Sequence, residues 1–194
     1  CGKVFFFFSI KKILMRQGDF NWQPDCLQNE TVILSAVQQK DFEALYHVAA
    51  DPEIWEQHPD QDRYKKEVFR NYFNSALASQ SAFLIREKKS GKIIGSTRYY
   101  EFNASKSSIA IGYTFLAKQF WGGSTNKAVK QLLLDYAFKK VEKVFFHIGA
   151  SNIRSQTAIL KIGAKKVREY TITQNGNLEN HFEYAIEKKD WHKG

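Results

Sequence analysis

Apolar positions along the chain switch repeatedly between a strand-like and a helix-like spacing. Thr31–Val37 (TVILSAV) is a short β-branched run that predicts a strand. From Asp41, the positions Phe42, Leu45, Tyr46, Val48 and Ala49 fall on one helical face. Asp51-Pro52 ends that helix, because a residue preceding proline avoids the α region. After the His58-Pro59 break a second helix is expected over about Tyr64–Ser79. AFLIREKK and KIIGSTRYYEF then predict two strands joined by a hairpin at Lys89-Ser90-Gly91. NASKS (Asn103–Ser107) turns the chain into a third, SIAIGYTFL (Ser108–Leu116).

The segment QFWGGSTNKAV (Gln119–Val129) separates that strand from a helix. Ala128, Val129, Leu132, Leu133, Tyr136 and Ala137 give this helix one broad apolar face. KVFFHIGA (Lys143–Ala150) is a compact strand. Ser151-Asn152 suits the cap of a short helix carrying Ala158, Ile159 and Ile162, with Gly163 at its end. Strands over about Lys166–Thr173 and His181–Lys188 flank a hairpin turn at Asn175-Gly176. The expected order is β-α-α-β-β-β-α-β-α-β-β, a single α/β (α+β) domain.

Composition narrows the class. The chain has 194 residues, 43% hydrophobic, enough for one substantial core. Two cysteines, Cys1 and Cys26, are too few for a disulfide scaffold, and no Cys/His cluster has metal-ligand spacing. A reducing cytoplasm is the expected setting. The apolar run Val4–Ile10 is too short to span a bilayer. Residues 1–14 are expected to be an extension ahead of Met15, with the domain covering 15–194.

The net charge of +9 is concentrated. Eleven Lys/Arg lie between Lys118 and Arg168, against Asp135 and Glu142, with Glu169 just beyond. A basic region of this kind suits a polyphosphate ligand, nucleic acid, or simply a solvated lysine-rich face. Aromatic and basic residues are not interleaved as in RNA-binding strands, which disfavours nucleic acid.

The glycine segment carries the candidate chemistry. A helix's first turn presents unpaired N–H groups and the positive end of its dipole. Gly122 and Gly123 let a ligand approach the backbone, and Ser124, Thr125 and Asn126 offer a side-chain cap and short polar groups. Neither G-x-x-x-x-G-K-[ST] nor G-x-G-x-x-G is present, so P-loop and dinucleotide-binding readings fall.

Gln119-x-x-Gly122-x-Ser124 between a strand and an amphipathic helix resembles the acetyl-coenzyme A loop of the GNAT N-acetyltransferases, Gln/Arg-x-x-Gly-x-Gly/Ala. IGYTFLAKQFWGG…LLLDYAF, then NIRSQTAILKIGA, and the earlier ADPEIWEQHP are similar to its RimJ/RimL-like branch. The resemblance runs from about Thr31 to Glu187. It implies a GNAT fold, a central mixed, mostly antiparallel sheet flanked by helices. It also implies acetyl-CoA as acyl donor and direct transfer to a primary amine, on a protein N-terminus or a small molecule.

By the same resemblance the backbone amides of Gln119 to Thr125 would hold the pyrophosphate. Phe115, Leu116 and Ala117 would pair with the pantetheine arm, and Lys118, Lys127 and Lys130 would favour the anion. Trp121 is expected to pack. Asn152 would contact pantetheine, and Ser155 would supply the hydrogen bond or proton to the thiolate. Two family features are missing: a tyrosine one helical turn after Ser155, where Ile159 stands, and an acid at Ala110. A CoA-binding protein without catalysis is therefore the competing expectation. Glu101, His147 and Glu183 are candidates for a base, although a histidine on an apolar strand such as His147 is more often a core residue. Tyr99, Tyr100 and Tyr113 are expected on the acceptor side. Edge strands near the C-terminus leave a homodimer open.

Overall fold

The computed structural model describes residues 20–174 and 177–191. The N-terminal extension and the Asn175-Gly176 turn lie outside the described residues. In chain order the elements are β1 (Cys26–Gln28), β2 (Val32–Ala36), α1 (Phe42–Ala49), α2 (Lys66–Ser79), β3 (Ala82–Glu87) and β4 (Ile93–Asn103). There follow β5 (Ser108–Leu116), α3 (Thr125–Ala137), β6 (Lys143–Gly149), α4 (Ile153–Leu160), β7 (Lys165–Gln174) and β8 (Asn177–Glu187).

The strands form one sheet in the order β1-β2-β3-β4-β5-β6-β8-β7. Every pairing is antiparallel except β5 with β6. The expected mixed, mostly antiparallel α/β architecture is the one observed. Successive residues of β3 show the two-residue period: Ala82 and Leu84 face one apolar cluster, Phe83 and Ile85 the other. α1 and α2 close the first cluster, with Phe69 and Phe73 fully buried. α3 and α4 contribute to the second through Val129, Leu133, Leu134 and Ile159.

The structure differs from the sequence expectation at three places. β1 was not expected; Asn29 makes its hairpin, its side-chain oxygen accepting from the N–H groups of Thr31 and Val32 at 3.0 Å each. The second helix begins later, because Lys65 is extended and Tyr64 belongs to a separate 3-10 turn, Gln61–Tyr64. β8 begins at Asn177, not His181, so the last hairpin is longer than its apolar residues suggest.

Candidate active site

The site is made by two strands parting. β5 and β6 pair only over Ser108–Ala110 with Lys143–Phe145, after which both strands continue without pairing to each other. On the other side of β5, the register with β4 shifts between Ser96 and Arg98, so β5 carries an extra residue opposite Thr97. Tyr113 sits there with φ +51°, a left-handed conformation uncommon for a bulky residue. Its carbonyl accepts from the Tyr72 hydroxyl at 2.7 Å. The resulting cleft encloses about 920 Å³, within the range of small-molecule sites.

The glycine segment forms one end of the cleft. A 3-10 turn, Lys118–Phe120, closes the amides of Phe120 and Trp121 onto the carbonyls of Ala117 and Lys118. That removes both from the expected pyrophosphate set. Gly122 follows with φ +73°, a turn that any Cβ would strain. The first-turn amides of α3, from Thr125 onward, have no acceptor within the helix. The expected side-chain cap is absent: Ser124 occupies the N-cap position without capping.

Phe115, Leu116, Gly122 and Gly123 line the cleft, as do Ser124 and Asn126. Thr125 does not; its buried side chain faces a smaller cavity beside Glu30 and Thr31. Gln119 is exposed and outside the cleft. Ala117 is also outside it and donates its N–H to the Ile94 carbonyl at 2.8 Å.

The three lysines have different fates. Lys118 is ion-paired with Glu53. Lys127 is exposed at the cleft rim. Lys130 points inward, only 4% exposed, and donates to the Thr114 hydroxyl at 2.7 Å. Burial pulls its pKa down to about 7. The expectation of three anion-attracting lysines is therefore corrected to one. Arg154, which the sequence reading passed over between Asn152 and Ser155, adds a cation. Its guanidinium lies 3.8 Å from the Trp121 ring and donates to the Ile54 carbonyl at 2.8 Å. Trp121 packs against both core clusters, as expected, and donates its indole N–H to the Leu116 carbonyl at 2.9 Å.

α4 enters along the opposite wall. Asn152 caps it, its side-chain oxygen accepting the Ser155 N–H at 3.0 Å, and both residues line the cleft. Ile159 is buried one turn further on, and Ala110 is buried in the sheet.

At the far end of the cleft side chains of β4 and β6 meet across the intervening β5. The Tyr100 hydroxyl is 2.9 Å from His147 Nδ1, and Glu183 on β8 is 3.3 Å from Nε2. His147 lines the cleft and is not a core residue. Glu101 and Tyr113 also lie here, whereas Tyr99 is fully buried and donates to the Leu133 carbonyl. The assignment of Tyr99 to the acceptor side is thus corrected by strand alternation. His58 borders the same region; burial and Arg63 lower its pKa to about 3, so it is neutral.

A family profile described as "Acetyltransferase (GNAT) domain" matches residues 31–165. The chain belongs to the GNAT acetyltransferases. Solved structures agree on the GNAT fold. The chain is similar to a GNAT acetyltransferase from Bacillus anthracis at 18% identity and TM-score 0.73, over 84% of this chain and 99% of that one. It is similar to Mycobacterium smegmatis RimJ in complex with CoA-disulfide at 15% identity and TM-score 0.67, over 87% and 88%. It is also similar to Vibrio cholerae spermidine N-acetyltransferase in complex with CoA and spermine, at 15% identity and TM-score 0.66, over 84% and 98%. No curated protein matches the sequence. Among the described residues of this GNAT domain no group of His, Cys, Asp or Glu could hold a metal ion, and no helix is long and apolar enough to cross a membrane.

Proposed function

We propose that this GNAT protein is an acetyl-CoA-dependent N-acetyltransferase of the RimJ/RimL-like kind, moving an acetyl group directly to a primary amine. The observation that carries the reading is the two-ended cleft. One end offers helix amides and cations suited to a phosphate ester; the other offers hydroxyl, imidazole and carboxylate groups suited to an amine.

The residues present fit acetyl-CoA. A Cβ built at Gly122 or Gly123 meets nothing within 4 Å, so the surface over the α3 N-terminus is open to a bulky anion. The backbone of Gly122–Asn126, with Lys127 and Arg154 nearby, would hold the pyrophosphate. The parted edges of β5 and β6, at Phe115–Leu116 and beside Asn152, would hold the pantetheine arm. When bound, acetyl-CoA supplies an activated thioester. The bulge at Tyr113–Thr114 breaks the β4–β5 register beside the cleft, where a backbone N–H released from the ladder would polarise the thioester carbonyl. Ser155 is the proposed hydrogen-bond or proton donor to the departing sulfur.

Two similar proteins, RimJ and spermidine N-acetyltransferase, were solved with CoA species, the second also with spermine. The spermine complex fits an amine as acceptor here, and the proposed acceptor is a primary amine on a protein N-terminus or a small molecule. Within the basic region Lys143 pairs with Glu187, Lys165 with Asp190, Lys166 with Glu169 and Arg168 with Glu183, which favours an anionic cosubstrate over nucleic acid. A cytoplasmic setting, where acetyl-CoA is plentiful, and a homodimer through the edge strand β7 belong to the same proposal.

The test is incubation with acetyl-CoA and a panel of an alanine-led hexapeptide, spermidine and ethylamine, read by mass spectrometry. Addition of one acetyl group to an amine is expected. Binding of acetyl-CoA with no product across the panel would favour a silent CoA-binding protein.

A further inference from the structure

The candidate donor site leaves open how the acceptor amine loses its proton. Three strands bring together a set of side chains at the far end of the cleft. His147 on β6 and Glu183 on β8 are direct cross-strand partners, which fixes both on one face. Glu183 lies 3.3 Å from Nε2 and so favours the ring proton on that nitrogen. Nδ1 is then an acceptor, and the Tyr100 hydroxyl donates to it at 2.9 Å. Glu101 is further from Nδ1, at 3.8 Å, and largely exposed.

The sequence makes room for this arrangement. Tyr100 pairs with Ala110 across β4 and β5, and Gly112 lies two residues on, on the same face. A Cβ at Gly112 would come 2.8 Å from the Tyr100 ring. Small residues at both positions therefore leave room for the Tyr100 ring to lie across that face of β5. Burial raises the phenol's pKa, so Tyr100 keeps its proton at neutral pH and passes protons rather than acting as a resident base.

We propose that Tyr100, His147 and Glu183 form a proton relay that deprotonates the acceptor amine, with Tyr100 as the catalytic residue touching it. The proposal rests on the acetyltransferase reading above. An ammonium nitrogen gives one proton to the Tyr100 oxygen while the phenolic proton passes to His147 Nδ1. The neutral amine then forms the C–N bond as the C–S bond breaks, and its second proton ends on sulfur. The imidazolium, facing Glu183, returns its proton to solvent. The other groups facing the relay are Glu101 on β4, Tyr113 on β5 and Arg168 and Tyr170 on β7. Arg168 is 3.7 Å from Glu183, Tyr170 packs edge-on to His147, and Tyr113 packs edge-on to Tyr100.

The experiment is steady-state kinetics of the full chain with acetyl-CoA and the three amines, over about pH 5.5–9.5, beside His147→Gln, Tyr100→Phe and Glu183→Gln. Acetyl-CoA titration of each protein reports folding and the donor site independently. For His147→Gln, kcat/KM for the amine is expected to fall by about 10²-fold or more near neutral pH, with the acid limb moved up toward the amine's own ionisation and acetyl-CoA affinity unchanged. Tyr100→Phe should fall similarly, and Glu183→Gln should fall less. A His147→Gln enzyme with wild-type rate and acid limb would overturn the relay and leave the acetyltransferase reading intact. A wild type that binds acetyl-CoA and acetylates none of the amines would overturn both.

Discussion

Lys130 shows how a single buried group adds a pH dependence to the whole fold. Its ammonium donates to Thr114, whose hydroxyl is also 2.8 Å from that of Thr97, and burial alone accounts for its lowered pKa. The folded value, about 7, lies below the ordinary 10.5. Between those two pH values the unfolded chain binds more protons than the folded one, so stability rises with pH across that window. Below it both states are protonated and the full cost of burying the charge remains. Lys130→Met should therefore stabilise the fold near pH 6, by on the order of 2–4 kcal/mol. Most of that gain should vanish as the pH approaches the unfolded value. Denaturant unfolding of both proteins at several pH values checks this; a gain independent of pH would mean that the lysine is not a buried charge. Nothing in the sequence near Lys130 announces this burial. It follows a helical apolar face by one position, and only the parting of β5 and β6 gives it a cleft to enter.

At the scale of elements, α4 connects capping to chemistry. Its eight residues are too few to be stable alone, and the Asn152 cap fixes the turn that carries both Arg154 and Ser155. Asn152→Ala should cost about 1 kcal/mol of stability and reduce kcat for amine acetylation. Denaturant midpoints and steady-state rates measure the two effects; unchanged rates would detach the α4 turn from catalysis. This element was legible because cap, apolar spacing and Gly163 agree with one another. β1 was not, since three residues reading Cys-Leu-Gln carry no alternation, and their pairing is set by the Asn29 turn and by β2. The glycine loop was legible as a helix entry but only partly as a cradle. The 3-10 turn that spends the Phe120 and Trp121 amides, and the inward turn of the Thr125 side chain, depend on packing against β2 and β5 that no local spacing encodes.

The whole molecule places two unlike environments at the ends of one split in a sheet. Local patterns predicted nearly every strand and helix, and the one parallel contact among the described strands, β5 with β6, generates the cleft. The candidate donor end was readable because it lies within one contiguous segment. The acceptor end was named only as scattered possibilities, because Tyr100, His147 and Glu183 come from three strands separated by dozens of residues. Their meeting is a property of strand order and register. Central to this account is that the split is an acetyl-CoA site. Calorimetric titration of the full chain with acetyl-CoA, beside Gly123→Trp, tests it most directly, since a side chain at 123 starts in open space and should leave the fold intact. Micromolar binding by the wild type, lost in a variant with an unchanged melting temperature, is the predicted result. No binding by the folded wild type would contradict the account.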